Sequence, residues 1–281
     1  MNFKIKILIL NWNGRDVLLD CLQSVSKINY DNFEIVVIDN ASSDDSIKNI
    51  HINFPEVKVI ALNKNYGYSG GYNKAFELLG YSEDEFYMLL NNDTIVDKNI
   101  INNFLDTYNS LDSKRYILGP KIYYMNNKKI IWYSGGKVDL WRGVIKHIGV
   151  NENNHPSFSY INTDYVTGCC LFTHNSNLKE LNGFDQSFNM YCEDVDLSIR
   201  ASKLGIQCIY VPSAILWHKV SHSLGGIFNY KKILFKLSSL FKLYNKHVKW
   251  YFRYFSIFLL LLRMFISGLK LLCFRFYNRF N

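Results

Sequence analysis

The stretch FEIVVIDNASSDDS, residues 33–46, shows the pattern from which the fold follows. An apolar run ends at Asp39, and the polar residues after it are of the types that cap a helix, which we expect to start near Asp45. Similar apolar runs occur at 4–10, 57–62 and 86–90, and apolar residues at helical spacing follow the first of them. This alternation predicts an α/β fold with a parallel sheet and helices on both faces.

Composition indicates a folded protein with reduced cysteines. The 281 residues are 48% hydrophobic and 16% aromatic, enough for one large core or one core with an appended segment. The cysteines have apolar neighbours and no Cys-x-x-Cys spacing, which favours cytosolic thiols over disulfides or metal bound through sulfur. They are Cys21, Cys169, Cys170, Cys192, Cys208 and Cys273. The apolar run at the start of the chain is too short for a signal peptide, so we expect a cytoplasmic protein.

Charge divides the chain into two parts. No Asp or Glu follows Asp196, and residues 197–281 contain 14 Lys or Arg. The preceding residues contain 18 basic and 24 acidic side chains, so their net charge is −6 against +14 for the rest. This asymmetry predicts two regions with different roles.

Polar residues follow each of the four predicted strands. The segments are NWNG (11–14), DNASSDDS (39–46), NKNYGYSGGYN (63–73) and NNDT (91–94). Surface turns are the plain explanation, but ligands of parallel sheets bind at the carboxyl ends of the strands. There, Asp39 is suited to accept hydrogen bonds from a nucleoside. The glycine-rich loop before residue 72 could offer amide groups to an anion, which alone is a weak signal.

Asp93 is a candidate metal ligand beside that nucleoside. A carboxylate there could hold Mg²⁺ or Mn²⁺ against a diphosphate. One carboxylate makes a poor metal site, so phosphate oxygens and the side chains of Asn91 and Asn92 are needed to complete or orient it.

Two downstream segments add chemistry. GFDQSFNMYCEDVDLSIRASKLG, residues 183–205, predicts a helix with Glu193, Asp194 and Asp196 in its first turn. Acids there complement the helix dipole, and one in a cleft could also take a proton from a hydroxyl. His218 follows an apolar run and is either structural or a further ligand of a divalent metal.

Taken in order, these motifs resemble the inverting nucleotide-sugar glycosyltransferases of family 2, especially the rhamnosyl- and galactofuranosyltransferase branch. The resemblance covers about residues 4–225 and implies the GT-A fold, a Rossmann-like mixed sheet flanked by helices. It implies that Asp39 binds the nucleoside, Asp93 and His218 the metal, and that Asp194 is the catalytic base. The family's Asp-x-Asp motif has Asn91 in place of its first acid. We therefore expect the metal, Mg²⁺ or Mn²⁺, to arrive largely with the sugar nucleotide.

The resemblance also suggests substrates and a domain division. We expect transfer of rhamnose or another hexose from a dTDP- or UDP-sugar to a lipid-linked or cell-surface glycan. Residues 1–118 would bind the donor, 119–225 would carry the acceptor and catalytic half, and 226–281 would form a basic amphipathic tail. The predicted nucleotide-sugar-binding residues are Asn11, Asp39, Asn65, Gly71, Asn91, Asn92, Glu193 and Trp217.

Two other functions are compatible with parts of this pattern. A catalytically weak nucleotide- or glycan-binding protein would explain the missing acid at Asn91. A sugar-phosphate nucleotidyltransferase would require a glycine- and arginine-rich loop, whereas NWNGRD, residues 11–16, has one of each.

Residues 121–149 predict short strands or a hairpin with a Gly-Gly turn. Their aromatic side chains could stack on an acceptor sugar or pack in the core, so no acceptor contact is assigned to them.

The tail predicts an amphipathic helix on an anionic membrane, on the inner face of the cell membrane. Its apolar face comprises Ile233, Leu234, Leu237, Leu240, Phe241, Tyr244, Val248, Tyr251, Phe252 and Phe255. Its basic face comprises Lys232, Lys236, Lys242, Lys246, Lys249 and Arg253. The apolar residues 255–274 are interrupted by Arg263 and Lys270, which argues against a transmembrane span. Packing on the catalytic domain or in a homodimer is the alternative, and nucleic-acid binding is not expected without a recognised module.

Overall fold

The computed structural model describes residues 2–82, 84–113, 115–153, 159–188, 190–219 and 230–262. The strands are β1 (Lys4–Asn11), β2 (Phe33–Asp39), β3 (Lys58–Ala61), β4 (Glu85–Asn91), β5 (Thr94–Val96), β6 (Tyr116–Tyr124), β7 (Asn127–Tyr133), β8 (Gly136–Asp139), β9 (Val144–His147), β10 (Ile161–Asn162), β11 (Cys170–His174) and β12 (Gln207–His218). The helices are α1 (Arg15–Val25), α2 (Ser46–Asn53), α3 (Gly67–Leu79), α4 (Ile100–Ser110), α5 (Asn175–Glu180), α6 (Glu193–Lys203) and α7 (Tyr230–His247). Residues 250–262 are also helical.

The first four strands form the parallel half of the sheet. β1 pairs with β2 on one side and β4 on the other, and β2 pairs with β3, all in parallel. α1, α2 and α3 connect them in the order that the alternation of apolar runs predicts. The predicted strand–helix alternation is confirmed over this part of the chain.

The second half makes the sheet mixed, as the GT-A resemblance implies. β11 inserts antiparallel between β4 and β6, and β12 runs parallel to β6. The full order is β10-β12-β6-β11-β4-β1-β2-β3, with β7 on β6 and β5 on β12. The expected division between residues 118 and 119 falls inside β6, and it stays a prediction.

Both faces of the central strands are buried. Alternate side chains of β1 enter two apolar clusters, with Ile5, Ile7 and Ile9 in one and Leu8 in the other. A strand covered by helices on both faces reads as a continuous apolar run for this reason. The polar side chains that close these strands therefore lie at the edge of the core rather than on a face of the sheet.

The expected short strands are present, but the alternative of a hairpin with a Gly-Gly turn is wrong. Gly135 precedes β8 and Gly136 begins it; β7 and β8 belong to different sheets, and β8 pairs with β9. Gly135 has a φ of +110°, and a Cβ on Gly136 would lie 2.1 Å from the ring of Tyr165. Glycine is required here by backbone geometry and by close packing, not by a hairpin.

The tail packs partly on the domain. α7 buries Leu240, Leu243 and Tyr244, whereas Leu234 and Phe241, placed on the same predicted face, are 58% and 43% exposed. The ring of Trp141, between β8 and β9, contacts Phe252 and Phe255 of the second tail helix. The predicted division into an apolar and a basic face is thus only partly right, because the domain takes its contacts from both.

In the described ranges, no helix combines the length and apolar character that crossing a bilayer requires. The expected boundary between residues 225 and 226, the apolar stretch beyond residue 262 and Cys273 lie outside the described residues.

A buried ion pair holds the start of β4 to β1. The carboxylate of Glu85 is 4% exposed and lies 2.8 Å from the ammonium of Lys6, which is 11% exposed. The same carboxylate accepts a 3.3 Å hydrogen bond from Asn175 at the start of α5. Both charges are thus desolvated and depend on each other.

We expect Glu85→Ala to lower the free energy of unfolding by about 3–5 kcal/mol, because it leaves the Lys6 ammonium buried without its partner. Denaturant unfolding measures this. Glu34→Ala is the matched control, since its 3.9 Å pair with Lys4 is largely solvated and is expected to contribute about 0–1 kcal/mol. Similar small losses for both variants would contradict the prediction.

Candidate active site

Asn11 links the ends of β1 and β2. It lies in register with Asp39, and its side-chain amide donates a 3.1 Å hydrogen bond to Asp39 Oδ1. The amide of Ser42 donates to Asp39 Oδ2 at 2.9 Å. The Asp39 carboxylate is 2% exposed and fixed at both oxygens, each of which can still accept another bond.

Asn92 extends this chain of hydrogen bonds to the loop after β4. Its side-chain amide donates to Asn11 Oδ1 at 2.8 Å. A Cβ on Gly14 would lie 2.1 Å from Asn92 Nδ2 and 2.4 Å from Asn11 Oδ1, so only glycine fits beside the pair. The ends of three parallel strands are thereby joined through side chains.

Asp93 and His218 lie next to each other. β5 pairs antiparallel with β12, which places His218 opposite Thr94. The distance from His218 Nε2 to Asp93 Oδ1 is 3.2 Å, and both residues are 8% exposed. Despite this proximity, Asp93 Oδ1 and His218 Nδ1 have no hydrogen-bond partner among the described residues. The Asp93 oxygen that faces His218 Nε2 is therefore a buried, unsatisfied group of a type that binds divalent cations, and the other ring nitrogen, Nδ1, is unsatisfied as well.

Glu193 and Asp194 open α6 after a strained turn. Tyr191 and Cys192 have φ values of 69° and 66°, a left-handed conformation that costs non-glycine residues about 1–3 kcal/mol each. Asp194 Oδ2 accepts a 3.0 Å bond from the amide of Gly168, and Oδ1 a 2.8 Å bond from the amide of Val195. Glu193 Oε2 is buried without a partner in the described part of the chain.

Burial raises the pKa values of both acids. It is the main cause that raises the pKa of Glu193 to about 8, with the charge of Asp194 as the second cause. Burial also raises the pKa of Asp194, but hydrogen bonds from Gly168 and Val195 oppose the shift. Because only Asp194 receives amide bonds at both oxygens, the negative charge of the pair resides on Asp194 and the proton on Glu193.

Residues 168–170 connect this pair with the end of β4. The amide of Asn91 donates a 3.0 Å bond to the carbonyl of Cys169, one residue after the amide that binds Asp194. Cys170 is in register with Leu90. Burial raises the pKa of the Cys169 thiol, and the charges of both Asp93 and Asp194 raise it further. The two carboxylates therefore lie within electrostatic reach of one thiol.

The remaining predicted site residues have structural contacts. Asn65 Oδ1 accepts a 2.8 Å bond from the amide of Gly67, and a Cβ on Gly71 would lie 2.6 Å from Leu10 Cδ1. The ring of Trp217 stacks on Tyr123, and its neighbour His218 points to the opposite side of β12. Asn91 contributes its backbone. Roles for these residues in binding a sugar nucleotide stay predictions.

Two site residues escape the sequence patterns. Asn40 accepts a bond from the amide of Tyr66 and donates to the carbonyl of Gly67, which fixes the loop before α3. Trp132 contacts the rings of both His147 and His218, with centroid distances of 4.5 and 4.7 Å. Asn40 follows Asp39 directly and could have been suspected, whereas no local signal connects residues 132 and 218.

The contents of the site suit a metal that brings other ligands with it. Within the described residues, no three His, Cys, Asp or Glu side chains group as a metal site. Asp93 Oδ1 and the adjacent imidazole of His218 offer an oxygen and a nitrogen, and a hard divalent cation would need further oxygens. The five cysteines of this part are free buried thiols.

Known proteins are similar to this chain in sequence and in fold. The family described as Glycosyl transferase family 2 matches residues 6–179. The rhamnosyltransferase WbbL of Escherichia coli K12 is 26% identical over 260 residues, which cover 89% of this chain and 92% of that protein. The N-acetylglucosaminyl-diphospho-decaprenol L-rhamnosyltransferase of Mycobacterium tuberculosis is 25% identical over 68% of each chain.

A solved structure of GalNAc-T7 with UDP, GalNAc and Mn²⁺ superimposes with a TM-score of 0.64 at 17% identity. The match covers 77% of this chain but spans less than half of GalNAc-T7, 44%. At this identity the likeness concerns the fold, which is GT-A. The family match covers more than half of the chain and favours a glycosyltransferase over the two alternative functions. The chain belongs to glycosyl transferase family 2 and is a glycosyltransferase.

Proposed function

We propose that the chain transfers rhamnose or another hexose, with inversion, from a dTDP- or UDP-sugar to a hydroxyl of a lipid-linked or growing cell-surface glycan. The observation that carries this proposal is the connection, through residues 168–170, of the Asp194 carboxylate with the strand end that bears Asp93. The rhamnosyl group and the lipid-linked acceptor rest on the two rhamnosyltransferase relatives, one of which is named for a decaprenol-linked acceptor, whereas the nucleotide is the one expected from the sequence motifs.

Asp194 is the proposed general base. Its carboxylate takes the proton of the acceptor hydroxyl while that oxygen forms a bond to the anomeric carbon. The bond from this carbon to the diphosphate breaks on the opposite face, so the anomeric configuration inverts. A raised pKa improves a carboxylate as a base, and the amides of Gly168 and Val195 keep it oriented. Glu193 carries the proton of the pair and therefore adds no second negative charge beside Asp194.

Asp93 and His218 are the proposed ligands of Mg²⁺ or Mn²⁺, and the rigid Asp39 is proposed to hold the nucleoside. The bound cation would supply Lewis acidity toward the departing diphosphate. Asp39 and Asn11, already fixed to each other, orient the donor without further ordering of side chains. Uncharged Asn91 weakens the attraction for a free cation, so the diphosphate is expected to provide the missing negative charge.

The tail is proposed to attach the enzyme to an anionic membrane. Trp250, Tyr254 and Phe258 lie one turn apart on the second tail helix and are 74%, 82% and 59% exposed. Residues 197–281 carry 14 basic side chains and no acid. Exposed aromatics with basic neighbours match a membrane interface, where each cation adds about 1 kcal/mol on anionic lipid. A homodimer covering the same apolar surface is the competing proposal.

Asp194→Asn keeps the shape of the side chain but removes the base. We expect transfer to fall by about 10²-fold or more, with the KM for the donor little changed. Steady-state kinetics with a dTDP- or UDP-sugar measures both. In the parent enzyme, kcat should also decline as the pH falls through the raised pKa of Asp194. Asp16→Asn, on a 79% exposed side chain, is the matched control. Full activity of the Asp194 variant would exclude the proposed base.

Calorimetric titration with Mn²⁺ tests the metal proposal. We expect weak binding to the enzyme alone and at least about tenfold tighter binding with saturating UDP or dTDP, because the diphosphate adds oxygen ligands and charge. Asp93→Ala should abolish this nucleotide-dependent gain. Equal Mn²⁺ affinity with and without nucleotide would count against the proposal.

Vesicle flotation tests the membrane proposal. The full chain should bind anionic phosphatidylglycerol vesicles and not neutral phosphatidylcholine vesicles, with binding reduced at high salt. The variant Trp250→Ser, Tyr254→Ser, Phe258→Ser should bind about tenfold more weakly, whereas Leu78→Ser, at a 66% exposed site on α3, should not. The homodimer would be favoured if the triple variant binds vesicles as well as the parent does and light scattering shows dimers of the parent but not of the triple variant.

A further inference from the structure

Asp196 is a buried acid that the proposed chemistry does not use. It lies two residues after Asp194 in the first turn of α6 and is 0% exposed. Its Oδ2 accepts a 2.8 Å bond from Arg200 on the same helix. Its Oδ1 faces α7, where Lys246 Nζ lies at 2.8 Å and His247 Nε2 at 2.7 Å. An acid that complements the start of a helix needs none of these partners, because solvent would serve.

The tautomer of His247 follows from its second contact. Lys203 Nζ lies 3.1 Å from His247 Nδ1, and an ammonium group can only donate a hydrogen bond. Nδ1 therefore accepts, and Nε2 carries the proton that is donated to Asp196. His247 thus links two residues of α6, one near its start and one at its end.

α7 also holds the loop that leads into α6. Ser239 donates a 2.7 Å bond to the carbonyl of Met190, and Lys242 a 2.6 Å bond to the carbonyl of Ser187. Lys246 pairs in addition with Asp185. This loop ends in the left-handed residues Tyr191 and Cys192, and such strained backbone persists only where its surroundings fix it. The contacts from α7 therefore reach the loop before Tyr191 and Cys192 and the first turn of α6 after them.

The charge balance indicates a fixed contact rather than a chance surface pair. Burial alone would raise the pKa of Asp196, but the bonds from His247, Lys246 and Arg200 outweigh it and lower the pKa to about 2. Arg200 is itself fixed by the carbonyls of Leu181 and Gly183. Exposed ion pairs contribute little order, whereas a desolvated carboxylate with three donors constrains every element that supplies one.

We propose that Lys246 and His247 of the tail are positioning residues for Asp194, acting through Asp196 and the first turn of α6. The tail is then part of the active enzyme and not only an attachment to another surface. The inference rests on the proposed role of Asp194 as the base. Its physical basis is that a displacement of about 1 Å at a reacting group can cost about 10²-fold in rate.

His247→Leu and His247→Gln form the central test, made in the full chain. Leucine removes both hydrogen bonds, and we expect kcat to fall about tenfold while the KM for the donor stays within about twofold, because the residues at the ends of β1 and β2 are not touched. Glutamine offers a donor and an acceptor in place of the two ring nitrogens, and it should restore kcat to within about threefold of the parent.

Lys74→Met is the matched control for Lys246→Met. It removes an exposed ion pair of Lys74 with Glu77, both on α3, and none of the hydrogen bonds to Asp196, so kcat should be unchanged. Lys246→Met should lower kcat as His247→Leu does, and it carries the test if the leucine variant does not fold. Parental kcat in Lys246→Met or His247→Leu, or a glutamine variant as slow as the leucine variant, would overturn the inference.

The two proposals fail separately. An active Asp194→Asn enzyme would remove the base itself. An inactive Asp194→Asn enzyme, combined with full kcat in His247→Leu, would leave the base in place and reject only the positioning role of the tail.

Discussion

The site depends on the parallel register of β1, β2 and β4. Asn11 stands beside Asp39, and Leu10 beside Asn91, so the three strands end along one line. Their apolar side chains are buried on both faces of the sheet, and Asn11, Asp39 and Asn91 are the polar residues that end them at this edge. Because the three buried strands end at the same position along the sheet, the polar residues that follow them lie next to one another. The hydrogen bonds from Asn92 to Asn11 and from Asn11 to Asp39 are the direct result.

The second half of the chain completes the edge from the other side. β11 enters antiparallel, so the residues before it, 168 and 169, reach the end of β4 rather than its start. The amide of Gly168 donates to Asp194, and the carbonyl of Cys169 accepts from the amide of Asn91. β12 in turn pairs with the short β5, and this pairing places the imidazole of His218 against the carboxylate of Asp93. Burial also raises the pKa values of Glu193 and Asp194, as is common for residues that transfer protons.

The tail, which consists of α7 and the helix of residues 250–262, presents two kinds of surface. Its basic residues have no acidic neighbour in sequence, since residues 197–281 lack Asp and Glu. In the folded chain, however, Lys246 and His247 contact Asp196, the last acid of the sequence, which is buried. The second tail helix, residues 250–262, exposes large apolar groups such as Trp250 and Tyr254. The tail therefore carries both the contacts to α6 and the surface proposed to meet a membrane.

The sequence by itself determined the strand–helix alternation, the polar strand ends and the order of family motifs, because apolar runs, helical spacing and motif order can all be read along the chain. From them Asp39, Asp93, Asp194 and His218 could be singled out. Only the tertiary structure decided that β5 pairs with β12, that Trp132 packs on His218, and that Lys246 and His247 bind Asp196 rather than face outward. Each of these contacts joins residues at least 50 positions apart, and pairing over such distances depends on register and burial, which no local pattern records.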